Sequence, residues 1–459
     1  MQGRCRSEVT TLLYRFDIEM KKILSILFIA LICASFAGCS HEDAPDPASL
    51  STTQTTLSAT SDATNLSLDV VSNSTWTVTS NKAWCRFVDD SGAVVDTLNG
   101  SGSKSVKLSL EENLTQNDRT ATVAIDGVAD STLKVTSTIT QSAPKYVEGG
   151  HYKIPVVFQV LYTYPNDPYY NVKKGHLATI LEKINEVYKN SGVDLNLEFV
   201  MATEDPDGKR LEEPGVNRTQ MNAYIDCSQF MSSSDPKYLN LIWDPDRYLN
   251  IVLYRFTNKD IVGIAQFPFF VAPDGLPGAD TWNGGTVTQQ NLNRPQCVSI
   301  NNLYIYKDDA DNLLSPEHPE GDDVYIPATI AHEIGHYLGL HHVFSDSNTD
   351  PCLDTDYCTD TKNYNRIAYQ SELQRDYSWK SKLDYYITRV ACEDGSVFTS
   401  DNVMDYSVSY FNRFTAQQAQ RIRYTLEHAA FVPGPKQPHA RSRAKAPAGK
   451  LDLPFRLMY

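Results

Sequence analysis

His332-Glu333-Ile334-Gly335-His336-Tyr337-Leu338-Gly339-Leu340-His341-His342 is the stretch from which the rest of this chain can be read. It fits H-E-x-x-H-x-x-G-x-x-H, a pattern with five fixed positions. With 10 His among 459 residues, an accidental match has a probability on the order of 10⁻⁵. Residues four apart on a helix share a face, so His332 and His336 should aim at one point with Glu333 beside them. Pro327 suits the first helical turn, and Ala328, Ile330, Ala331, Ile334 and Leu338 give the helix an apolar body. Gly339 lets the chain turn left-handed after the helix and bring His342 back as a third imidazole. His341 competes by composition; the register favours His342 and leaves His341 to face solvent or a nearby acceptor. Three protein nitrogens suit one Zn²⁺ whose fourth position stays open, the mark of a catalytic rather than a structural site. Such an ion lowers the pKa of water to about 7, and Glu333 is the expected general base, taking that proton and handing it to a leaving amine.

A second signal is Asp401-Asn402-Val403-Met404-Asp405-Tyr406. A long zinc motif followed by N-x-M-x-Y resembles the metzincin metalloproteases. Within them the likeness is to the pappalysin-like branch, carried by Tyr248-Leu249-Asn250-Ile251-Val252, Gly263-Ile264-Ala265-Gln266-Phe267-Pro268, the zinc motif, Met404-Asp405-Tyr406 and Phe414-Thr415-Ala416-Gln417-Gln418. It covers roughly residues 245 to 430, and only the zinc motif is specific by itself. The resemblance implies that Met404 forms a hydrophobic floor in a turn beneath the metal and that the Tyr406 phenol stabilises an oxyanion. It implies that Gly263 to Pro268 is an edge strand to which an extended substrate adds; a plain buried strand is the alternative. It also implies bridges among Cys352, Cys358 and Cys392. Pairing cannot be deduced from sequence, and Cys358 with Cys392 and Cys227 with Cys297 are guesses. Asp354, Asp356 and Asp360 crowd one loop as in relatives, so Ca²⁺ is conceivable beside the plainer reading of a solvated acidic loop.

At the start, Lys21 and Lys22 precede the apolar run Ile23 to Ala37, then Gly38 and Cys39. This reads as a bacterial lipoprotein signal peptide over residues 1–38, with Met20 as the true start and Cys39 taking the lipid. Phe36 departs from the leucine usual three before the cysteine. The run is too short for a membrane-spanning helix, which needs about 20 residues. Ser40-His41-Glu42-Asp43 resembles the surface-export tags of Bacteroidetes-type lipoproteins, which implies a place outside the outer membrane. With Cys5 and Cys33 lost in the leader, Cys85, Cys227, Cys297, Cys352, Cys358 and Cys392 remain in an oxidising compartment. A net charge of −15 disfavours nucleic acid as a partner.

Residues 39–62, rich in Ser, Thr, Ala and Pro, are expected to be a flexible tether. Residues 63–143 read as β: Val106, Leu108 and Leu110, then Ala121, Val123 and Ile125, alternate with polar residues, implying a sandwich. Trp76-Thr77-Val78, Trp84-Cys85, Asn117 to Ala121 and Ile139-Thr140-Gln141 resemble the BACON module, an immunoglobulin-like domain suspected of binding glycans. Trp76 and Trp84 could stack on sugars, though tryptophans in alternating strands are usually core; a spacer role is the alternative. Cys85 is read as a structural thiol rather than a latency ligand.

The catalytic region is expected over residues 150–432. An apolar strand through Val156, Val157 and Val160 precedes a helix on which Leu177, Ile180, Leu181, Ile184 and Val187 recur, and Leu195, Leu197, Phe199 and Met201 then alternate. That order is α+β, and the resemblance implies a metzincin-type zinc protease domain. Thr415 and Gln418 read as the capping box of a last helix. Residues 362 to 391, with Trp379, Tyr385 and Tyr386, read as an amphipathic helical insertion that covers the core, with shaping of substrate pockets as the alternative. Residues 433–459, basic and proline-rich, are expected to be disordered. The whole is multidomain and reads as a lipid-anchored zinc metalloendopeptidase acting on extracellular proteins or peptides. A glycan-binding surface lipoprotein with a structural zinc site is the rival, and hydrolysis of a non-peptide amide is a third reading.

Overall fold

The computed structural model describes residues 46–308, 324–347, 349–375, 383–406, 408–437 and 446–459. The leader, the lipidation residue Cys39, the export-tag resemblance, Trp379, Arg441, Arg443 and Lys445 lie outside these residues. None of the described helices is long and apolar enough to cross a membrane.

Ten strands come first: β1 (Leu50–Thr52), β2 (Thr56–Ala59), β3 (Thr64–Ser72), β4 (Thr75–Ser80), β5 (Cys85–Val88), β6 (Val94–Val95), β7 (Thr97–Ser101), β8 (Lys104–Leu110), β9 (Arg119–Gly127) and β10 (Lys134–Gln141). They form two five-stranded sheets, β1-β3-β8-β5-β6 and β2-β10-β9-β4-β7. Alternate residues such as Leu68, Val78, Phe87, Leu108, Val123 and Ile139 meet in one core, as period-2 patterning requires. One expectation is corrected here. Residues 50–59 are not tether: β1 pairs antiparallel with β3, Leu50 opposite Ser72, and β2 parallel with β10, Leu57 opposite Ile139. Threonine favours strands when every other residue can be buried, a preference that the tether reading overlooked. Trp76 and Trp84 belong to the core, with Trp76 Nε1 donating to Gly102 O at 2.8 Å and the Arg119 guanidinium 4.3 Å over the Trp84 ring. Neither ring offers a face to a sugar. Cys85 is buried beside Trp84 in that core, and burial pushes its thiol up to about 11.

The remaining chain follows in order as β11 (Tyr152–Tyr162), α1 (His176–Lys189), β12 (Leu197–Met201), β13 (Val216–Gln220), β14 (Tyr224–Ile225), α2 (Cys227–Ser232), α3 (Pro236–Leu239), β15 (Leu249–Phe256), β16 (Gly263–Gln266), β17 (Phe269–Val271), β18 (Asp280–Trp282) and β19 (Val298–Asn301). Next come α4 (Ile326–Tyr337), α5 (Arg366–Arg375), α6 (Leu383–Tyr386), β20 (Thr388–Val390), β21 (Val397–Thr399), α7 (Ala416–His428) and β22 (Leu457–Met458). The large sheet runs β12-β11-β15-β19-β16-β22, with β13 and β14 pairing off that path. Its first four strands are parallel, and the two in the middle, β11 and β15, carry near-continuous apolar runs, as strands covered on both faces must. On one face, α1 packs on α4 with Tyr188 Oη donating to Ala331 O at 3.1 Å. On the other, α2 sets Phe230 and Met231 against Tyr254 and Cys297. The α7 capping box forms as expected, Thr415 accepting from Gln418 N.

Only β16 and β22 run antiparallel to their neighbours at this end of the sheet. That β22 exists at all overturns the expectation of a disordered tail for residues 446–459. Leu451 N donates to Asn291 O at 3.0 Å, Leu453 is buried, and Phe267 N donates to Arg456 O at 2.8 Å. The basic run masked a strand signal immediately after it: Leu451, Leu453, Phe455, Leu457 and Tyr459 alternate with period two.

Candidate metal centre

Helix α4 ends at Leu338, whose N–H is shared between Ile334 O and Gly335 O, and Leu340 N closes on Gly335 O at 2.9 Å. Gly339 supplies the exit with φ +88°, and a Cβ there would stand 2.5 Å from Thr425 Oγ1. Both facts demand glycine. The chain thereby returns His342 to the helix face that carries His332 and His336. One ring nitrogen from each lies within 4.8 Å of the others, and all three residues are buried.

The opposite side of each ring is held. His332 Nδ1 lies 2.7 Å from Val403 O, His336 Nδ1 2.7 Å from Leu340 O, and His342 Nδ1 2.9 Å from Asp346 Oδ1. A carbonyl oxygen only accepts, so His332 and His336 must donate from Nδ1, which leaves each Nε2 with a lone pair turned inward. Burial, with the His342 charge second, pushes His332 down to about 3, and burial holds His336 well below its ordinary value. Neutral imidazoles are the ligand form. His332 Nε2 and Glu333 Oε2 are buried without a hydrogen-bond partner. Buried polar atoms rarely go unpaired, and these are the donors that a divalent cation and its water would satisfy. The cluster therefore fits Zn²⁺.

Glu333 is 2% exposed, and burial raises its carboxyl well above the ordinary carboxylate range; a cation among the imidazoles would counter that rise. Met404 is fully buried beneath α4, and a Cβ on Gly335 would sit 2.4 Å from its Sδ. Met404 N donates to Asn402 Oδ1 at 2.9 Å, closing the turn, and its carbonyl accepts from Val343 N. The Tyr406 ring lies 4.7 Å from that of His342 and 5.8 Å from that of His332. Its hydroxyl donates to the main-chain oxygen of Tyr459 at 2.5 Å, and His342 Nε2 lies 3.0 Å from the same oxygen. Burial first, then the Glu333 charge, keeps that phenol protonated. Beside them opens a cavity of about 530 Å³, lined among others by Gly263, Ala328, Glu333, Leu373, Tyr406 and Phe411.

The structure thus brings His332, His336, His342, Glu333, Met404 and Tyr406 together. It parts from expectation elsewhere. His341 faces neither solvent nor an acceptor: it is buried between Phe267 and Tyr357, with ring separations of 4.6 and 5.3 Å, and Nε2 is unpartnered. The disulfide is Cys352–Cys392, while Cys358, Cys227 and Cys297 are buried free thiols. Asp356 spends its oxygens on Cys358 N and Thr361 Oγ1, Asp354 accepts from Asp356 N, and Asp360 accepts from Gln417 N. That loop is laced by its own donors. Among the described residues only the three histidines group with metal-ligand spacing, so Ca²⁺ finds no support. Helix α5 has no buried residue and turns Gln370, Leu373 and Gln374 to the cavity, so this part of the insertion lines the cleft rather than covering the core.

Two features escaped the sequence reading. Asp346, four residues past His342, orients the third ring; only that i+4 spacing hinted at it. Asp405 accepts from Tyr364 Oη at 2.6 Å and from Ser400 Oγ, and lies 3.4 Å from Arg389, whose side chain is wholly buried with its guanidinium 3.7 Å over Tyr369. This network anchors the turn that carries Met404, and its members are dispersed from Tyr364 to Asp405.

Residues 320–427 match the family model of pregnancy-associated plasma protein-A peptidases, and residues 49–142 that of the viral BACON domain. The chain is 35% identical over 95 residues to proteins named extracellular metalloprotease from Arthroderma benhamiae and Trichophyton verrucosum, covering 20% of this chain and 29% of each relative. It therefore spans under a third of the relatives' length. Among solved structures, a Bacteroides ovatus GH5 xyloglucanase is 15% identical, covers 46% of this chain and 56% of its own, and has a TM-score of 0.18, too slight a likeness to bear on the fold. The chain carries a metallopeptidase domain. It is of the pappalysin type, with a BACON-like domain before it.

Proposed function

We propose that this protein is a zinc-dependent metalloendopeptidase that hydrolyses peptide bonds of extracellular proteins or peptides, through a metzincin-type domain over residues 150–432. One observation carries the reading: three buried imidazoles converge on a point where a buried unpaired carboxylate, Glu333, and a protonated phenol, Tyr406, also meet. His332, His336 and His342 would hold the ion, which when bound supplies a Lewis acid that polarises a carbonyl and acidifies water.

Each other step belongs to the chain. An extended substrate pairs with β16, whose ladder positions set the carbonyl of the scissile bond against the Tyr406 hydroxyl. Glu333 takes the proton from the attacking water as its oxygen bonds to that carbon. Tyr406 donates to the oxygen as negative charge gathers on it. Glu333 then gives its proton to the nitrogen as the C–N bond breaks. Asp346 keeps His342 aimed throughout. We also propose an immunoglobulin-like sandwich for the first ten strands and anchorage to the outer membrane by lipid on Cys39; the relatives' naming as extracellular agrees with a secreted or surface protein.

The test is cleavage of a reduced, carboxymethylated protein by the purified full chain, with fragments read by mass spectrometry. We expect internal cuts that a chelator abolishes and added zinc restores. Cutting that is indifferent to chelation would refute the metal; no cutting with zinc bound, by the full chain and by a form lacking Leu451–Tyr459 alike, would refute the peptidase.

A further inference from the structure

The cleft contains a piece of this chain. Arg456 O accepts from Phe267 N at 2.8 Å, and β22 then runs antiparallel along β16, Leu457 opposite Gln266 and Met458 opposite Ala265. That direction carries the strand from Gln266 toward Gly263, which lines the cavity with Glu333. It arrives with the Tyr459 main-chain oxygen 2.5 Å from the Tyr406 hydroxyl and 3.0 Å from His342 Nε2. The Tyr459 phenol is seated as well, 2.9 Å from Ser228 Oγ on α2.

The approach is fastened upstream. Arg456 donates to Gly278 O and Asp280 Oδ1, Arg294 pairs with Asp452 at 3.2 Å, and Asn291 Nδ2 donates to Pro447 O and Gly449 O, each at 2.8 Å. Leu453 packs with Phe269 and Phe431. A strand held at this many points and ending on the metal-facing imidazole and the phenol does not resemble a tail resting on a surface.

We propose that residues 456–459 are a built-in occupant of the substrate cleft, laid along β16 as the carbonyl-side half of a peptide substrate would lie, and that they hold the enzyme inhibited until displaced. The inference rests on the peptidase reading above. It adds a polarity: residues before the cleaved bond align with β16, and the residue at the bond, here an aromatic one, reaches Ser228. A tethered segment faces its cleft at an effective concentration in the mM range, so an intrinsic affinity of about that order suffices to fill it. A competing substrate then binds more weakly by the fraction of molecules that are open.

Two variants of the full chain test this, one lacking Leu451–Tyr459 and one carrying Leu457→Asp, whose carboxylate would be forced into a half-buried contact. The probe is a fluorescein-labelled peptide of sequence Leu451 to Tyr459, read by polarisation on forms that also carry Glu333→Ala so that nothing is cut. We expect saturable binding to both variants and about tenfold weaker binding, or more, to the unaltered tail. Equal binding to all three, or none to any, overturns the proposal. With Glu333 intact, kcat/KM on an unrelated peptide should rise by about tenfold in both variants, and unchanged rates would likewise overturn it. Because polarisation needs no turnover, a protein that cuts nothing would sink the peptidase reading while leaving this one to be judged on its own.

Discussion

Glu333, Tyr406 and Asp346 stand at different removes from the reacting bond, so their losses should differ in kind. Glu333→Ala removes the proton acceptor but no proposed ligand, and turnover should fall by about 10²–10⁴-fold while elemental analysis still finds zinc bound. Loss of the metal together with activity would instead make Glu333 structural. Tyr406→Phe keeps the ring against His342 and deletes only the donor; kcat should drop by about 10²-fold with KM nearly unchanged, and a change confined to KM would contradict its role on the oxyanion. Asp346→Asn retains an acceptor for His342 Nδ1 but gives up the charge. Zinc affinity should weaken by about 10–100-fold, measured by competition with a chelator.

Elements were legible from the sequence wherever a single segment held both the signal and its consequence. The histidine helix, its left-handed exit, the capped α7 and the alternating strands of the first sheets are of this kind. What escaped reading depended on partners far along the chain. Which cysteine joins Cys392 is decided by the path of residues 352–363, where Asn363 Nδ2 reaches back to Cys352 O, and no spacing rule contains that path. The strand character of β22 is hidden because the basic, proline-rich run before it dominates the composition of the tail, and the period-two pattern occupies only residues 451–459. The Met404 turn is the clearest case of remote support. Arg389 and Asp405 share one buried pocket with Tyr364 and Tyr369, so Arg389→Met should leave Asp405 uncompensated and cost about 3–5 kcal/mol. Chemical denaturation would register the loss, and a shift under 1 kcal/mol, about the worth of a surface pair, would show the pair to be dispensable.

Over the whole molecule, buried histidines weigh against stability in acid. His332 and His341 are pushed from an ordinary 6.5 down to about 3, each chiefly by burial, and His336 is lowered by the same cause. As pH falls below about 6.5 the unfolded chain takes up these protons and the folded one does not. Their share of the stability is therefore complete above that value and drains as pH drops toward 3, by up to about 1.4 kcal/mol per pH unit for each ring. Glu333, raised well above the carboxylate range, and Asp356, raised to about 7, pull the other way because the folded chain binds their protons first. The histidine share therefore shows by difference: His341→Phe in the metal-free protein should lessen the fall in melting temperature between pH 8 and pH 5, whereas an unchanged profile would mean that this ring reaches solvent.

The first ten strands also meet the rest of the chain through specific bonds. Ala83 N donates to Gly208 O at 2.9 Å, Thr203 Oγ1 to Glu111 Oε2 at 2.8 Å, and Lys153 pairs with Glu112 at 2.7 Å. Such a seam, with a backbone bond in it, makes the leading sheets a bracket and not a leash. Whatever surface those sheets grip, the cutting edge would meet it at one fixed height and angle, so reach toward a target must come from the target's own slack.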